Sequence, residues 1–399
     1  MLLHISSRLV DGKCGITFSC DGSVTSESTP PHDAWTVGDP SSSLRVEDLA
    51  AISGLEIDLS PPRQFLRAAT TVASLKSVPL KWMMPGDVYQ DYLRRLRNDS
   101  WDVLERGMVE YYHLYFATTR DLLGALERAF INPVTLQNFM QGSISPGQQS
   151  VIASFRPDDT GLAPLVRYNQ VGSRTGRLTE RSGPQILRLK RDFRSIIQSR
   201  FDGGQIVQVD FVSLEARIAA ALGGMIPERD IYTQLSRTIF ENQYPRSAVK
   251  LACLSVIYGA GRKRLASQLT VSLEDAGDII ERISRAFDVK KVSMKLLKDA
   301  MESGSISNHF GRKMMATDKS SHILYNNFIQ STGVDVAMHG FQQIITRLND
   351  DKIVPIFILH DAIIFDVHSN SIETLRKLVD YHIQIDGFEV PFYVDVSGF

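Results

Sequence analysis

The feature that most constrains this chain is a short apolar run leading directly into an Ala-rich segment, between Gln205 and Arg217. Ile206 to Phe211 mixes β-branched and apolar residues after two glycines, which predicts a partly buried strand that leaves a tight turn. Ser213 to Leu222 is rich in alanine and leucine, which favours a helix with Ser213 as its cap. Asp210 therefore falls at a strand end. Alone, such an aspartate is usually a turn or capping residue.

A second carboxylate changes that interpretation. Two apolar, β-branched runs between Val354 and Val367 flank His360 and Asp361, which predicts a hairpin with these two residues at its tip. A carboxylate set between buried strands is costly unless a cation compensates for its charge. Asp361 is therefore the natural second ligand for any metal ion that Asp210 binds.

Composition narrows the class of protein. A chain of 399 residues predicts two or three subdomains, and its 43% hydrophobic and 22% charged content is typical of folded globular proteins. No apolar run is long enough for a membrane span, and the N-terminus lacks the apolar core of a signal peptide. The three cysteines lack metal-like spacing and fit a reducing compartment: Cys14, Cys20 and Cys253. We therefore expect a cytoplasmic protein of a bacterial or phage-infected cell, or of an organelle, with no membrane partner.

The net charge of -1 gives no overall sign, but one stretch is strongly basic. Between Arg174 and Arg200 there are eight cationic residues against only Glu180 and Asp192. Such a concentration usually faces a polyanion, although a solvated basic surface is the alternative. A helical pattern over 86–140, with arginines between its apolar positions, is either a solvated hairpin or an arm that follows a phosphate backbone.

A predicted helix after Pro245 has a stripe of residues spaced four apart: Arg246, Lys250, Leu254 and Tyr258. Two cations, an apolar group and an aromatic ring suit a ligand with a charged tail and a planar head, such as a nucleoside triphosphate. Basic residues near a helix start are also common without any ligand.

Other segments carry weaker expectations. The Ser-, Thr- and Pro-rich region 20–43 predicts a loop, and Leu55–Leu59 predicts an ordinary edge strand. A long helix is expected from about Ser320 to Leu348, where Asn326 and Gln330 point the same way. The chain is expected to close with a helix over Ser371–His382 and with a strand over Val390–Val396 that returns to the sheet of the hairpin.

The order of these segments resembles the polymerase module of family A DNA polymerases. The matching segments, in chain order, are Thr175-Gly-Arg-Leu178, Asp210-Phe-Val-Ser-Leu-Glu215-Ala-Arg217, Arg246-x3-Lys250-x7-Tyr258-Gly259, the helix with Asn326, Gln330, Gly333 and Asp335, and Ile358-Leu-His360-Asp361. Each is modest alone, but together they are collinear over roughly residues 165–370.

The resemblance implies a mixed α+β fold, a right hand with an antiparallel palm sheet, helical fingers and a helical thumb. It divides the chain into an N-terminal region of unknown role (1–75), a thumb-like region (76–165), a first palm part (166–222), fingers (223–320) and a second palm part (321–399).

The resemblance also implies roles for individual residues. Asp210, Asp361 and the Phe211 backbone carbonyl would bind two Mg²⁺ ions, with Mn²⁺ as a substitute, and Lys250 would protonate the leaving pyrophosphate. The incoming dNTP would be held by Phe211, Glu215, Arg246, Lys250, Leu254 and Tyr258. Primer–template DNA would contact Thr175, Arg177, Arg188, Arg191, Asn326, Gln330 and His360. Glu215 would exclude the 2′-hydroxyl of ribonucleotides.

This sequence departs from the family pattern at three places. Ala362 stands where the family has Glu, Leu254 stands where it has an aromatic residue, and Gly183-Pro-Gln-Ile-Leu187 replaces an Asn-Leu-Gln-Asn-like run. We find no proofreading exonuclease, so we expect a polymerase in replication or repair without editing of its own, with a processivity or exonuclease factor as a further partner.

Two alternatives remain. A catalytically silent DNA-binding replisome protein is favoured by Ala362. A relative of single-subunit RNA polymerases is suggested by the non-aromatic Leu254, but Glu215 and the segment Thr175–Leu178 argue against it.

Overall fold

The computed structural model describes residues 1–65, 79–379, 383–385 and 387–399. The chain divides into two compact units, Met1–Leu114 and Tyr115–Phe399, and each unit has its own sheet and apolar core. Among the helices of the described residues, none combines the length and the apolar character that a bilayer crossing requires.

The first unit combines a four-stranded sheet with helices. Its strands are β1 Leu2–Ile5, β2 Gly15–Ser19, β3 Val24–Glu27 and β4 Ala34–Val37, in the order β3-β2-β1-β4. Strand β1 is antiparallel to β2 and parallel to β4. The helices are α1 Val46–Ser53, α2 Leu80–Met83, α3 Gly86–Arg106 and α4 Val109–Tyr111. The apolar stripe predicted on α3 is confirmed, because Tyr89, Tyr92, Leu93 and Leu96 are buried.

Two expectations for this unit are wrong. The region 20–43 is not all loop, because it contains β3 and β4; β3 is an exposed, polar edge strand, so it lacks the apolar alternation that would reveal it. Leu55–Leu59 does not form a strand. The Leu59 carbonyl instead accepts a 2.7 Å hydrogen bond from the Tyr92 hydroxyl, and Arg95 donates to the next carbonyl, Ser60.

The second unit contains the remaining strands and helices. Its strands are β5 Phe130–Ile131, β6 Arg167–Asn169, β7 Thr179–Ser182, β8 Ile197–Gln198, β9 Gln205–Phe211, β10 Ser305–Ser307, β11 Lys313–Met315, β12 Ile353–Leu359, β13 Ala362–Val367 and β14 Val394–Gly398. Its helices are α5 Ala117–Gly124, α6 Pro133–Gln141, α7 Pro146–Ala153, α8 Leu214–Leu222, α9 Ile231–Phe240, α10 Arg246–Ile257, α11 Arg262–Leu269, α12 Leu273–Ala286, α13 Val289–Ser303, α14 Ser321–Arg347 and α15 Ile372–Val379. A π-helical turn covers Tyr112–Phe116, and short 3₁₀ turns occur at Ser7–Leu9, Ile186–Arg188, Arg191–Ile196 and Ser369–Ser371.

The main sheet of the second unit has the order β12-β13-β9-β14, and every neighbouring pair in it is antiparallel. Alternation along β9 sends Val207, Val209 and Phe211 into a large apolar cluster shared with the helices. Ile206 on the other face, together with Ile364 of β13, packs into a second cluster. The sheet is therefore covered on both faces, which gives its strand ends a rigid support.

Helix α14 passes close to the sheet at a glycine. A Cβ atom at Gly340 would lie 2.5 Å from the Cζ atom of Phe211, so the absence of a side chain permits this approach. The same helix packs against α5, α8, α10 and α13. It therefore ties the strand that carries Asp210 to the surrounding helices.

Most predicted elements of this unit are confirmed: the strand around Asp210, the helix after Pro245, the long helix and the final hairpin. The last strand does return to the same sheet, but it covers Val394–Gly398 and not Val390–Val396. Helix α15 ends at Val379 within the described residues, and His382 lies outside them. Ser213 precedes α8 with a left-handed φ of 54°, and its side chain does not cap the helix.

Candidate active site

Asp210 lies on the central strand β9, on the face opposite the large apolar cluster. In the register of the sheet it is paired with Ala362 of β13 on one side and with Asp395 of β14 on the other. Directly opposite residues of an antiparallel pair point to the same face. Asp210 is therefore flanked by one methyl group and one carboxylate.

Asp361 lies in the tight turn between β12 and β13, next to Asp210. The preceding residue, His360, adopts a positive φ of 58°, which is the conformation that closes this turn. The Phe211 amide donates a 3.2 Å hydrogen bond to the Asp361 carbonyl. Two motifs about 150 residues apart in the chain thus meet through the backbone itself.

The two carboxylates influence each other. Burial, and secondly the charge of Asp361, raises the pKa of Asp210 to about 7. Among the described residues, no group donates a hydrogen bond to the buried Oδ1 atom of Asp210. A buried acceptor with no donor is expensive in a folded protein and is often explained by a ligand.

These residues fit a magnesium site. Mg²⁺ is bound by oxygen ligands and takes one or two carboxylates, completing its shell with water and substrate phosphates. No cluster of three or more histidine, cysteine or acidic side chains within the described ranges is arranged as a ready-made metal cage. The Asp210–Asp361 pair, with one oxygen that receives no hydrogen bond from the described part of the chain, matches the sparser set that Mg²⁺ uses.

The carboxylates open into a cavity of about 670 Å³. Of the residues predicted from the sequence, those that line it are Arg177, Asp210, Phe211, Glu215, Arg246, Lys250, Leu254, Tyr258, Gln330, His360 and Asp361. A cavity of this volume is within the usual range for small-ligand sites. Acidic and cationic side chains thus share one space, as a metal-bound polyphosphate would require.

Four predicted residues lie outside this cavity lining. Thr175 is buried, and Asn326 accepts a 2.7 Å hydrogen bond from the Gln330 amide. Arg188 is exposed and donates to Gln185, whereas Arg191 borders a separate depression. These four residues therefore do not line the cavity.

Glu215 connects residues that the sequence analysis considered separately. Its carboxylate accepts a 2.6 Å hydrogen bond from the Tyr258 hydroxyl and a 3.1 Å bond from the Arg177 guanidinium. Burial raises the pKa of Glu215, while these two partners act in the opposite direction. Burial also raises the pKa of Tyr258 to about 12, so the hydroxyl stays protonated and remains a donor. The network fixes the Glu215 carboxylate at the wall of the cavity.

Arg246 is held by residues that the sequence analysis missed. Its Nε donates a 2.6 Å hydrogen bond to Asp230, and its guanidinium lies 5.4 Å from the centre of the Tyr232 ring. Asp230 caps α9 by accepting from the amides of Tyr232 and Thr233, so its carboxylate is fixed in place. An aspartate just before a helical pattern is a capping signal, but only the fold brings it to Arg246.

Arg217 also escaped notice as a functional residue. It is fully buried, and its guanidinium donates to the carbonyls of Pro227, Glu228, Arg229 and Pro391. These hydrogen bonds therefore fix the backbone of the segment that precedes Asp230. This anchoring holds the backbone from which the side chains of Arg229 and Asp230 extend.

The order and packing of these strands and helices are also found in a solved polymerase domain. The structure is similar to the solved POL domain of Pol1 from M. smegmatis, in complex with DNA primer-template and dNTP, with a TM-score of 0.60 and 13% sequence identity. The likeness covers 99% of this chain and 94% of that one. It confirms the expected fold class, the mixed α+β right-hand polymerase fold.

Residues 149–398 match the model of DNA polymerase family A, and this chain belongs to that family. Among curated proteins it is 24% identical over 261 residues to the thermostable DNA polymerase I of Thermus thermophilus, which covers 58% of this chain and 31% of the relative. It is 29% identical over 189 residues to the DNA polymerase of Mycobacterium phage L5, which covers 46% of this chain and 31% of that protein. The chain thus aligns with about a third of the length of these relatives.

Proposed function

We propose that this chain is a DNA-templated DNA polymerase that adds dNTPs to a primer 3′-hydroxyl, in DNA replication or repair. The observation that carries the proposal is one cavity that Asp210, Asp361, Arg246 and Lys250 all line. Family membership and the likeness to a domain solved with DNA primer-template and dNTP support it.

Asp210 and Asp361 would hold Mg²⁺, with the Phe211 carbonyl as a further ligand and Mn²⁺ as a substitute. The bound ions would supply charge neutralisation and activation of the primer hydroxyl for an in-line displacement. The Oδ1 atom of Asp210, to which none of the described residues donates a hydrogen bond, supports this role. Because the pKa of Asp210 is raised to about 7, this carboxyl group must release a proton to become a ligand near neutral pH.

Arg246 and Lys250 would bind the triphosphate. The bond from Nε of Arg246 to Asp230 leaves the two terminal nitrogens as a fork for phosphate oxygens. Lys250 lies one helical turn further along α10, near enough for its charge to act on Asp210. A lysine at this position would also supply a proton to the leaving pyrophosphate.

Glu215 would select the sugar. Its carboxylate lines the cavity and is held by Tyr258 and Arg177. A 2′-hydroxyl placed against it would have to displace one of these bonds, which favours deoxynucleotides. Tyr258 is 43% exposed and would present its ring to the nascent base pair, with Leu254 one turn earlier on the same helix face.

The residues around the cavity would contact primer–template DNA. Burial, and secondly the charge of Arg177, lowers the pKa of His360, so its imidazole is neutral at physiological pH and can donate or accept. The bond between Gln330 and Asn326 orients both amides. The further residues in this role are Thr175, Arg188 and Arg191, the last two of which are exposed cations.

Primer extension tests the proposal. With Mg²⁺, four dNTPs and a primed template, the wild-type chain should extend the primer, and Asp210→Ala and Asp361→Ala should abolish extension. Asp202→Ala, in the exposed turn before β9, is the matched control. Extension that survives loss of either cavity aspartate would contradict the assignment. A mismatched primer incubated without dNTPs should stay intact, because the proposal includes no intrinsic proofreading.

A silent DNA-binding replisome protein is the second candidate, and Ala362 favours it, since a methyl group flanks Asp210 where the family resemblance leads one to expect Glu. Tight binding of primer–template without incorporation, with either Mg²⁺ or Mn²⁺, would establish it. A competition between rNTPs and dNTPs separates these two candidates from a relative of RNA polymerases. The hydrogen bond between Tyr258 and Glu215 argues against such a relative.

A further inference from the structure

The two flanks of Asp210 differ in chemistry. Ala362 of β13 is 5% exposed, and its methyl group cannot bind a cation. On the other side of β9, Asp395 of β14 is paired directly with Asp210. It borders the same cavity as Asp210 and Asp361. The sheet therefore has an acidic residue beside Asp210, but this residue lies on β14 and not on β13.

Asp395 lies directly opposite Asp210 in the register of β14 and β9. Directly opposite residues in an antiparallel pair have Cβ atoms about 5 Å apart, which brings carboxylates of this length close together. A cation bound between Asp210 and Asp361 would therefore be attracted by the negative charge of Asp395.

The present partner of Asp395 is an exchangeable one. Arg229 lies 2.6 Å from its carboxylate, and both side chains are at least half exposed. Exposed ion pairs contribute little to stability, so a divalent cation can compete for this carboxylate. Arg229 also lies 5.3 Å from the centre of the Tyr393 ring, and its own carbonyl is held by Arg217. Arg229 is therefore available to neutralise Asp395 when no cation is bound.

We propose that Asp395 supplies a third negative charge beside the divalent-cation site, from β14, on the side of Asp210 opposite Ala362. The inference rests on the proposed function, because it assumes that Asp210 and Asp361 bind the ion. Asp395 adds negative charge next to the ion and need not be a direct ligand. A unit charge about 6 Å from a divalent ion changes its binding about tenfold even at the dielectric constant of water.

Mn²⁺ binding tests this inference independently of activity. It is measured on the chain without DNA or nucleotide, from the electron paramagnetic resonance signal of free Mn²⁺. Asp395→Asn should weaken Mn²⁺ binding about tenfold. Arg229→Gln breaks the same ion pair but keeps the carboxylate, so it should bind Mn²⁺ as tightly as wild type or more tightly. Equal weakening in both variants would overturn the inference, because the ion pair and not the carboxylate would then matter.

A transfer of the acid across the strand gives a second test. Asp395→Asn combined with Ala362→Glu should regain the lost affinity, whereas Asp395→Asn combined with Ala362→Gln should not. The glutamine adds the same bulk without the charge and therefore controls for crowding at this buried position. Equal affinity of the two double variants would contradict a role for charge at this flank.

Asp210→Asn separates failure of this inference from failure of the proposed function. If Asp210→Asn abolishes Mn²⁺ binding and Asp395→Asn leaves it unchanged, Asp395 has no role and the site stands. If Asp210→Asn leaves Mn²⁺ binding unchanged, the proposed metal site is itself wrong, and the inference about Asp395 falls with it.

Discussion

The substitution Asp210→Asn should stabilise the metal-free protein while it abolishes polymerase activity. Burial and Asp361 hold the pKa of Asp210 at about 7 in the folded state, compared with 3.8 for a free aspartate. The unfolded chain therefore releases this proton at lower pH than the folded chain. Folding stability falls as pH rises between these two values, and the loss is complete above about pH 7. Asparagine does not titrate, so the variant escapes this loss.

The size of the effect follows from the shift. A difference of about 3 pKa units corresponds to about 4 kcal/mol at pH 8 as an upper limit. Because Asp210 is only partly buried, solvent screening reduces this to about 2 kcal/mol. For a unit of this size, that is a rise of about 4 °C in Tm.

The quantity to measure is the difference in Tm between Asp210→Asn and wild type. Thermal unfolding in EDTA, monitored by circular dichroism, gives this gap. The Tm of Asp210→Asn should exceed that of wild type by about 4 °C at pH 8, and the gap should shrink towards pH 5. Asp202→Asn, in an exposed turn, should show no such growth with pH. Excess Mg²⁺ should narrow the gap at pH 8, because only wild type gains stability from the bound ion. A gap that is absent at pH 8, or independent of pH, would refute the electrostatic account of this site.

Three further predictions concern the cavity and its surroundings. Glu215→Ala should relax the exclusion of rNTPs about 10²-fold in kcat/KM, because a 2′-hydroxyl would no longer displace hydrogen bonds worth about 2–3 kcal/mol. Asp230→Asn should raise the KM for dNTPs about fivefold with little change in kcat, because it loosens Arg246 by about 1 kcal/mol. The double variant Arg188→Gln with Arg191→Gln should reduce the salt dependence of duplex binding by about 2 in log–log slope.

Each of these has its own control. Glu215→Gln keeps the bulk and one acceptor oxygen but loses the carboxylate charge, so it should retain only part of the discrimination. Full retention would show that bulk, and not the two hydrogen bonds, excludes the 2′-hydroxyl. Asp230→Glu should partly restore the KM, and a loss confined to kcat would show that Asp230 does not act through Arg246. For DNA binding, Arg156→Gln changes an exposed arginine outside the basic stretch, and an equal change in slope there would contradict the assignment.

The sequence by itself determined the strongly periodic elements, and it placed Asp210 at a strand end and Asp361 at a hairpin tip, where the structure has them. The spacing of apolar residues indicates whether a segment forms a strand or a helix. For this reason β9, α10, α14 and the final hairpin could be predicted. The exposed strand β3 and the irregular Leu55–Leu59 segment could not, because their conformations depend on partners and not on periodicity.

Contacts between distant segments were decided only by the tertiary structure. The partners of Glu215, the hold of Asp230 on Arg246 and the place of Asp395 beside Asp210 each join residues far apart in the chain. A pattern of spacing carries no information about which strand lies next to β9 or in which register it pairs. That choice is made by the packing of apolar faces over the whole sheet, and a shift of one residue would turn Asp395 away from the cavity.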